Sequence, residues 1–168
     1  MSESPQWFAG VGTALSADDR ADTGAILDAR GQPFRTGGTV VVPWLAAADW
    51  TLHPAMAECW DDDEDEREVL WGRVAAQLGE AALLAQLTAA TTQAAPYVRA
   101  AALAAATPDS ADQESVATAA ASALLALHQY RLAQLADVAP DHPFMRKYAL
   151  FARGRWALGY RDGTYGIC

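Results

Sequence analysis

Alanine decides most of what this chain can become. Thirty-nine of its 168 residues are alanine, most of them between Ala75 and Ala139, and alanine has the highest intrinsic helix propensity. The reading is helical from Ala46 to Arg153. On either side the pattern changes. Residues 1–36 carry turn formers at Gly10, Gly12, Gly24, Gly31 and Pro33 and show no sustained period, so 1–45 reads as an irregular segment with one strand. That strand is Thr39-Val40-Val41-Val42, short and β-branched, between Gly37-Gly38 and Pro43. Residues 155–168 turn β again. The expectation is one domain over 1–168, mainly α: four to five helices and a small antiparallel sheet built from a C-terminal hairpin and the strand near 39–42.

Boundary signals divide the helical zone. Acidic residues 61–66 favour the positive end of a helix dipole and are expected in the first turn of a helix running to about Leu87. Along it Leu70, Val74, Leu78, Ala81 and Ala85 recur at three- and four-residue spacing as an apolar stripe. Thr92 is expected to cap a following helix with Pro96 in its first turn, and Thr107-Pro108 to stop it. Ser110 with Gln113 has capping-box spacing and opens the longest helix, to about Ala139. Pro140 ends that one. Asp141 and Pro143 start a last helix of Phe144, Tyr148 and Phe151, stopped by Gly154.

The hairpin is the sharpest local expectation. Asp162-Gly163 lies between two runs of strand formers, and a two-residue type I′ turn needs positive φ at both central positions. Pairing outward sets Tyr160 opposite Tyr165 and Leu158 opposite Ile167, with Trp156 on their face and Arg155, Ala157, Gly159, Arg161 and Cys168 on the other. A lone hairpin is marginal in water, so either Val40–Val42 extends the sheet or the Trp156 face lies across the helices.

Charge is distributed as unevenly as alanine. Residues 58–68 hold eight carboxylates against one arginine, in a chain of net charge −9, bordered by tryptophan at Trp60 and Trp71. The last 27 residues hold Arg146, Lys147, Arg153, Arg155 and Arg161 against Asp162 alone. Either the basic end packs near the acidic run and neutralises part of it, or the acidic face is free for a partner. A strongly acidic chain is a poor match for nucleic acid, whose binding rests on clustered Lys and Arg. Neither a signal peptide nor a membrane span is expected: Met1–Pro5 lacks a basic region, and polar residues interrupt the alanine-rich stretches. Two cysteines, Cys59 and Cys168, in no C-x-x-C arrangement suggest a reduced cytoplasmic chain. Arginine is abundant and Lys147 is the only lysine, a compositional habit of GC-rich bacterial genomes.

Motifs for chemistry are thin. Asp61, Asp63 and Asp65 have the alternate spacing of a calcium loop, but its sixth and twelfth positions are Glu66 and Gly72 instead of Gly and Glu. His53, Glu58 and Cys59 match no familiar zinc spacing. His128 reads as a core or boundary residue, and His142 as part of a turn before Pro143. Gly10-Val11-Gly12 begins like a dinucleotide fingerprint without the strand and helix that give it meaning. No cofactor and no metal site is expected. The leading expectation is a non-enzymatic protein-binding module of the immunity or antitoxin type, docking a basic protein through Trp60, Asp61, Asp62, Asp63, Glu64, Asp65 and Glu66. The alternative is a metal-dependent or acid/base enzyme using carboxylates near 58–68 with His53. A third reading is a homodimer seamed along an alanine-rich helix such as 116–126.

Overall fold

The computed structural model describes residues 5–32, 38–106 and 113–168. The expected stop at Thr107-Pro108 and the Ser110 cap lie outside them. The described chain is mainly helical: α1 (Ala17–Ala29), α2 (Trp44–Leu52), a single 3-10 turn (Pro54–Met56), α3 (Ala57–Leu78), α4 (Glu80–Ala105), α5 (Gln113–Leu135) and α6 (Pro143–Ala152), with strands β1 (Thr39–Val41), β2 (Ala157–Arg161) and β3 (Thr164–Ile167).

Several boundaries differ from the expected ones, each for a local reason. The helix through the acidic run begins at Ala57, so Asp61–Glu66 fall in its second and third turns. It ends at Leu78, not Leu87, because Gly79 takes φ 83° and ψ 143°, a conformation other residues resist. Leu70 and Val74 are buried as the stripe requires, but Leu78 is 44% exposed and Ala81 and Ala85 lie exposed on the next helix. Thr92 and Pro96 do not start a helix. They lie inside α4, both exposed, where the carbonyl that Pro96 leaves unpaired faces water. Helix α5 stops at Leu135, short of Ala139, because Asp137 turns to φ 50°.

The N-terminal stretch is not irregular throughout: it contains α1. Ser16 caps α1 through a full capping box: its hydroxyl accepts from the Asp19 N–H at 3.1 Å, and the Asp19 carboxylate accepts from the Ser16 N–H at 3.0 Å. The buried positions of α1 are Asp19, Asp22, Thr23, Ile26 and Leu27. Two aspartates lead its inner face, so hydrophobic periodicity could not reveal it.

The sheet has strand order β1-β3-β2, and it is mixed: β2 pairs antiparallel with β3, while β1 joins β3 in parallel, with Thr39 beside Tyr165 and Val41 beside Ile167. The turn has the expected geometry, Asp162 at φ 51° and Gly163 at φ 70°, and Tyr160 stands opposite Tyr165. Beyond Gly159 the register shifts. A bulge makes Ala157, not Leu158, the partner of Ile167. Gly159 and Gly166 face each other across the hairpin, and both sites are packed too closely for a side chain. A Cβ on Gly166 would meet the Trp50 indole at 2.4 Å, and one on Gly159 would meet Met56 Cε at 2.7 Å. The glycine pair therefore makes a bare patch onto which Trp50 and the start of α3 settle.

One apolar cluster joins the sheet to the helices around it, with Phe8, Trp44, Phe151, Trp156, Tyr160, Tyr165 and Ile167 at its heart. Trp44 and Trp156 approach to 5.1 Å, and Phe8 sits edge-on to both. A second cluster, with Leu70, Val74, Leu83, Leu87, Leu132 and Phe144, ties α3, α4, α5 and α6 together.

Candidate functional site

An α-helix turns once in about 3.6 residues, so a dense run of like charges must point several ways. The segment 58–68 does this on α3. Asp62, Asp63 and Glu66 turn inward and each meets a partner. Asp63 receives Lys147 Nζ at 2.8 Å and Arg30 Nη2 at 3.0 Å, with Gln129 Nε2 at 3.5 Å. Lys147 also donates to Gln129 Oε1 at 3.2 Å. The Asp63 and Lys147 side chains are each only 16% exposed. Burial by itself pushes the Asp63 carboxyl up, but the Lys147 ammonium and the Arg30 guanidinium outweigh it and hold the group below its usual 3.8. Burial likewise disfavours the Lys147 charge, and Asp63 reverses that, so its pKa lies above the ordinary value. Glu66 meets His142 Nε2 at 3.0 Å and Arg30 Nη1 at 3.6 Å. The Tyr160 hydroxyl donates to Asp62, and burial together with that bond raises the phenol's pKa.

The other face looks outward. Trp60, Asp61, Glu64, Asp65 and Glu68 form an exposed stripe, with Trp60 at 48% exposure. Glu64 is held by Arg67 of its own helix, with Nε at 2.9 Å. Among the described residues no ion pair reaches Asp61 or Asp65. Beside the stripe a cleft of about 210 Å³ opens between α3, α5 and the hairpin. Trp60, Glu64, Arg67 and Leu125 line it along with Asp63, Lys147 and Cys59. The Cys59 thiol is pushed up to about 11, chiefly by burial and then by Asp63, which keeps it protonated and a poor nucleophile at neutral pH. Cys59 and Cys168 are both free and buried.

A second ion network escaped the sequence reading. Asp19 and Asp22 on α1 meet three arginines from the C-terminal region. Arg153 reaches Asp19 at 3.0 Å and Asp22 at 2.6 Å, and Arg146 reaches Asp22 at 2.7 Å. Arg155 reaches Asp19 at 2.9 Å, and it also donates to the carbonyls of Gly10, Thr13 (3.0 Å) and Ala14 (2.6 Å). The Gly10-Val11-Gly12 segment is thus a seat for Arg155. A Cβ on Gly10 would come within 3.1 Å of the Arg153 carbonyl. The signal that could have exposed this network was the Ser16-x-x-Asp19 spacing. With Arg161 stacked 3.8 Å over the Trp50 ring, all five cations of the basic end have an intramolecular role.

Two of the three histidines are placed by turn geometry. His53 Nδ1 accepts from the Ala55 N–H at 3.1 Å and His142 Nδ1 from the Phe144 N–H at 3.2 Å, each just before a proline-led helix start. His128 is half-buried against Trp71, rings 9° from parallel, and burial lowers its pKa. Among the described residues no group of three or more His, Cys, Asp and Glu side chains is arranged to hold a metal ion, and no described helix is long and apolar enough to cross a membrane. No family model matches this chain, and no curated protein or solved structure matches it either.

Proposed function

We propose that this chain is a non-enzymatic protein-binding module that docks a basic partner through the outward stripe of α3, in the manner of a small immunity protein or antitoxin. One observation carries the reading. Asp61 and Asp65, and Glu64 and Glu68, are like charges one helical turn apart on an exposed face, a spacing that destabilises a helix by about 0.2–0.5 kcal/mol per pair. The inward carboxylates of the same run are met by Lys147, Arg30, His142 and Tyr160, and Glu64 by Arg67 of its own helix, whereas Asp61 and Asp65 beside the half-exposed Trp60 have no ion pair among the described residues and retain their field. A carboxylate face with an aromatic anchor attracts a basic surface at a distance and gives it something to close upon. The docking set is accordingly Trp60, Asp61, Glu64, Asp65 and Glu68. Asp62, Asp63 and Glu66, part of the same run, act as its internal support.

The test is affinity capture from the native host with the wild-type chain, a D61N/E64Q/D65N/E68Q variant and a W60A variant, followed by titration of the captured protein at rising ionic strength. The expected partner is basic, is lost by both variants, and binds at least tenfold more weakly between about 50 and 200 mM salt, as screening shortens the reach of exposed charges. A partner retained equally by all three proteins would overturn the assignment of this face.

A further inference from the structure

A second cleft lies away from the acidic stripe. It has a volume of about 700 Å³ and opens between α4, α5, α6 and the N-terminal segment, within the usual range for a small-molecule site. Its space exists because short side chains, Ala90 and Ala94 on α4 and Ala152 on α6, face long aromatic ones. Tyr130 and Tyr148 stack with centroids 4.0 Å apart and planes 12° from parallel, and Trp7 stands edge-on to Tyr148 at 6.0 Å. Trp7 is fixed there because Gln6 donates its N–H to the Ala152 carbonyl at 2.9 Å. Tyr97 on α4 lines the same cleft and is 73% exposed, a large aromatic group left open to solvent.

The polar groups are few and point to one kind of occupant. Arg131 carries the only charge among the described lining residues, positive in a chain of net charge −9. It is oriented by Gln134, which accepts from Arg131 Nη1 at 3.0 Å and donates to the Tyr130 hydroxyl at 2.7 Å. No described carboxylate pairs with Arg131, so its remaining donors have no ionic partner. No described carboxylate lines the cleft either, which disfavours cations and leaves little to accept the many hydroxyls of a sugar. Flat apolar walls, a small-residue floor and one oriented guanidinium suit a flat apolar ring bearing one negative group. The geometry points to a binding site for a planar aromatic acid, its ring among Trp7, Tyr97, Tyr130 and Tyr148 and its anionic group on Arg131. This site is separate from the α3 surface and does not depend on it.

The probe is 2-naphthoate, followed by titration calorimetry and ligand-observed NMR, with methyl 2-naphthoate and 2-naphthylmethylammonium as the neutral and cationic counterparts. The acid should bind best and the ammonium least. Arg131→Gln should weaken the acid about tenfold and leave the ester unchanged, since a charge-assisted bidentate contact is lost. Tyr97→Ala, at an exposed position that leaves folding intact, should weaken acid and ester alike, about fivefold. D61N/D65N should alter none of these values, which separates this site from the docking surface. Equal binding of acid and ester with no effect of Arg131→Gln would overturn the proposal. So would preference for the ammonium, or no binding of any of the three to the folded wild-type chain.

Discussion

Two acidic regions of this molecule meet different ends. On α1, Asp19 and Asp22 are 2% and 6% exposed, and three arginines from more than 120 residues away enclose them. On α3 a far denser run is only half enclosed: Asp62, Asp63 and Glu66 find partners, and the outer carboxylates stay in water. The sparse pair is thus the more thoroughly neutralised. The difference teaches that the density of charge along a chain says little about its role. What counts is which face of the helix bears it and whether a cation is delivered there by the fold.

The comparison can be broken or sharpened by substitution. The largest effect is expected at Arg155, whose loss in Arg155→Met strips Asp19 of one cation and takes the side-chain donor from the Thr13 and Ala14 carbonyls. Urea denaturation should register a loss of about 4 kcal/mol, because a buried charge and its acceptors are uncovered together. Asp63→Asn should cost about 3 kcal/mol, since Lys147 and Arg30 then face a neutral amide. The double variant Asp63→Leu/Lys147→Met should recover part of that loss, since Arg30 keeps Glu66 at 3.6 Å, and no recovery would mean that the Arg30 and Gln129 contacts dominate the site. Gly166→Ala, which drives a methyl into the Trp50 ring, should cost about 2 kcal/mol through overpacking and alter the tryptophan emission.

The acid limb of stability offers a further test. Asp19 and Asp63 both have folded-state pKa values below the ordinary carboxylate value, Asp19 because hydrogen bonds from Ser16 and the arginines outweigh the effect of burial. Their stabilisation is complete above the unfolded-state pKa of about 3.9 and disappears as pH falls through the folded-state values. Stability should therefore be level near neutrality with respect to these groups and fall below about pH 4, less steeply in Asp63→Asn. The smallest effect belongs to the outer face: Asp61→Asn/Asp65→Asn should change stability by no more than about 0.5 kcal/mol. A loss above about 1 kcal/mol there would make the whole run structural and erase the contrast with α1.

Much of the fold was legible in short-range chemistry. The Asp162-Gly163 turn, the Tyr160–Tyr165 pair, the Pro143 helix start and the Gly154 stop each depend on a few neighbouring residues. What was not legible depended on distance. The bulge at Leu158 arises where Ala157 must meet Ile167, and the parallel docking of β1 joins residues over 120 positions apart. Helix α1 buries aspartates, so no apolar stripe announced it. On α3 the acidic run was conspicuous, but its division into inner and outer carboxylates required the true start at Ala57 and the positions of Arg30, His142 and Lys147. Nothing in the spacing of Trp7, Tyr97, Tyr130 and Tyr148 suggested that four aromatic residues from different parts of the chain share one cleft.

Because Lys147 is the chain's only lysine and is locked against Asp63, the molecule has almost no side-chain amine chemistry to offer. Succinimidyl esters, glutaraldehyde and amine-coupled sensor surfaces would meet a single, largely buried ε-amino group on the folded protein, and faster reaction at Lys147 would report unfolding. The outer carboxylates present the opposite handle. Carbodiimide activation at Asp61 and Asp65 would join this face to lysines of whatever rests on it, so that a zero-length cross-link would mark the point of contact without any engineered residue.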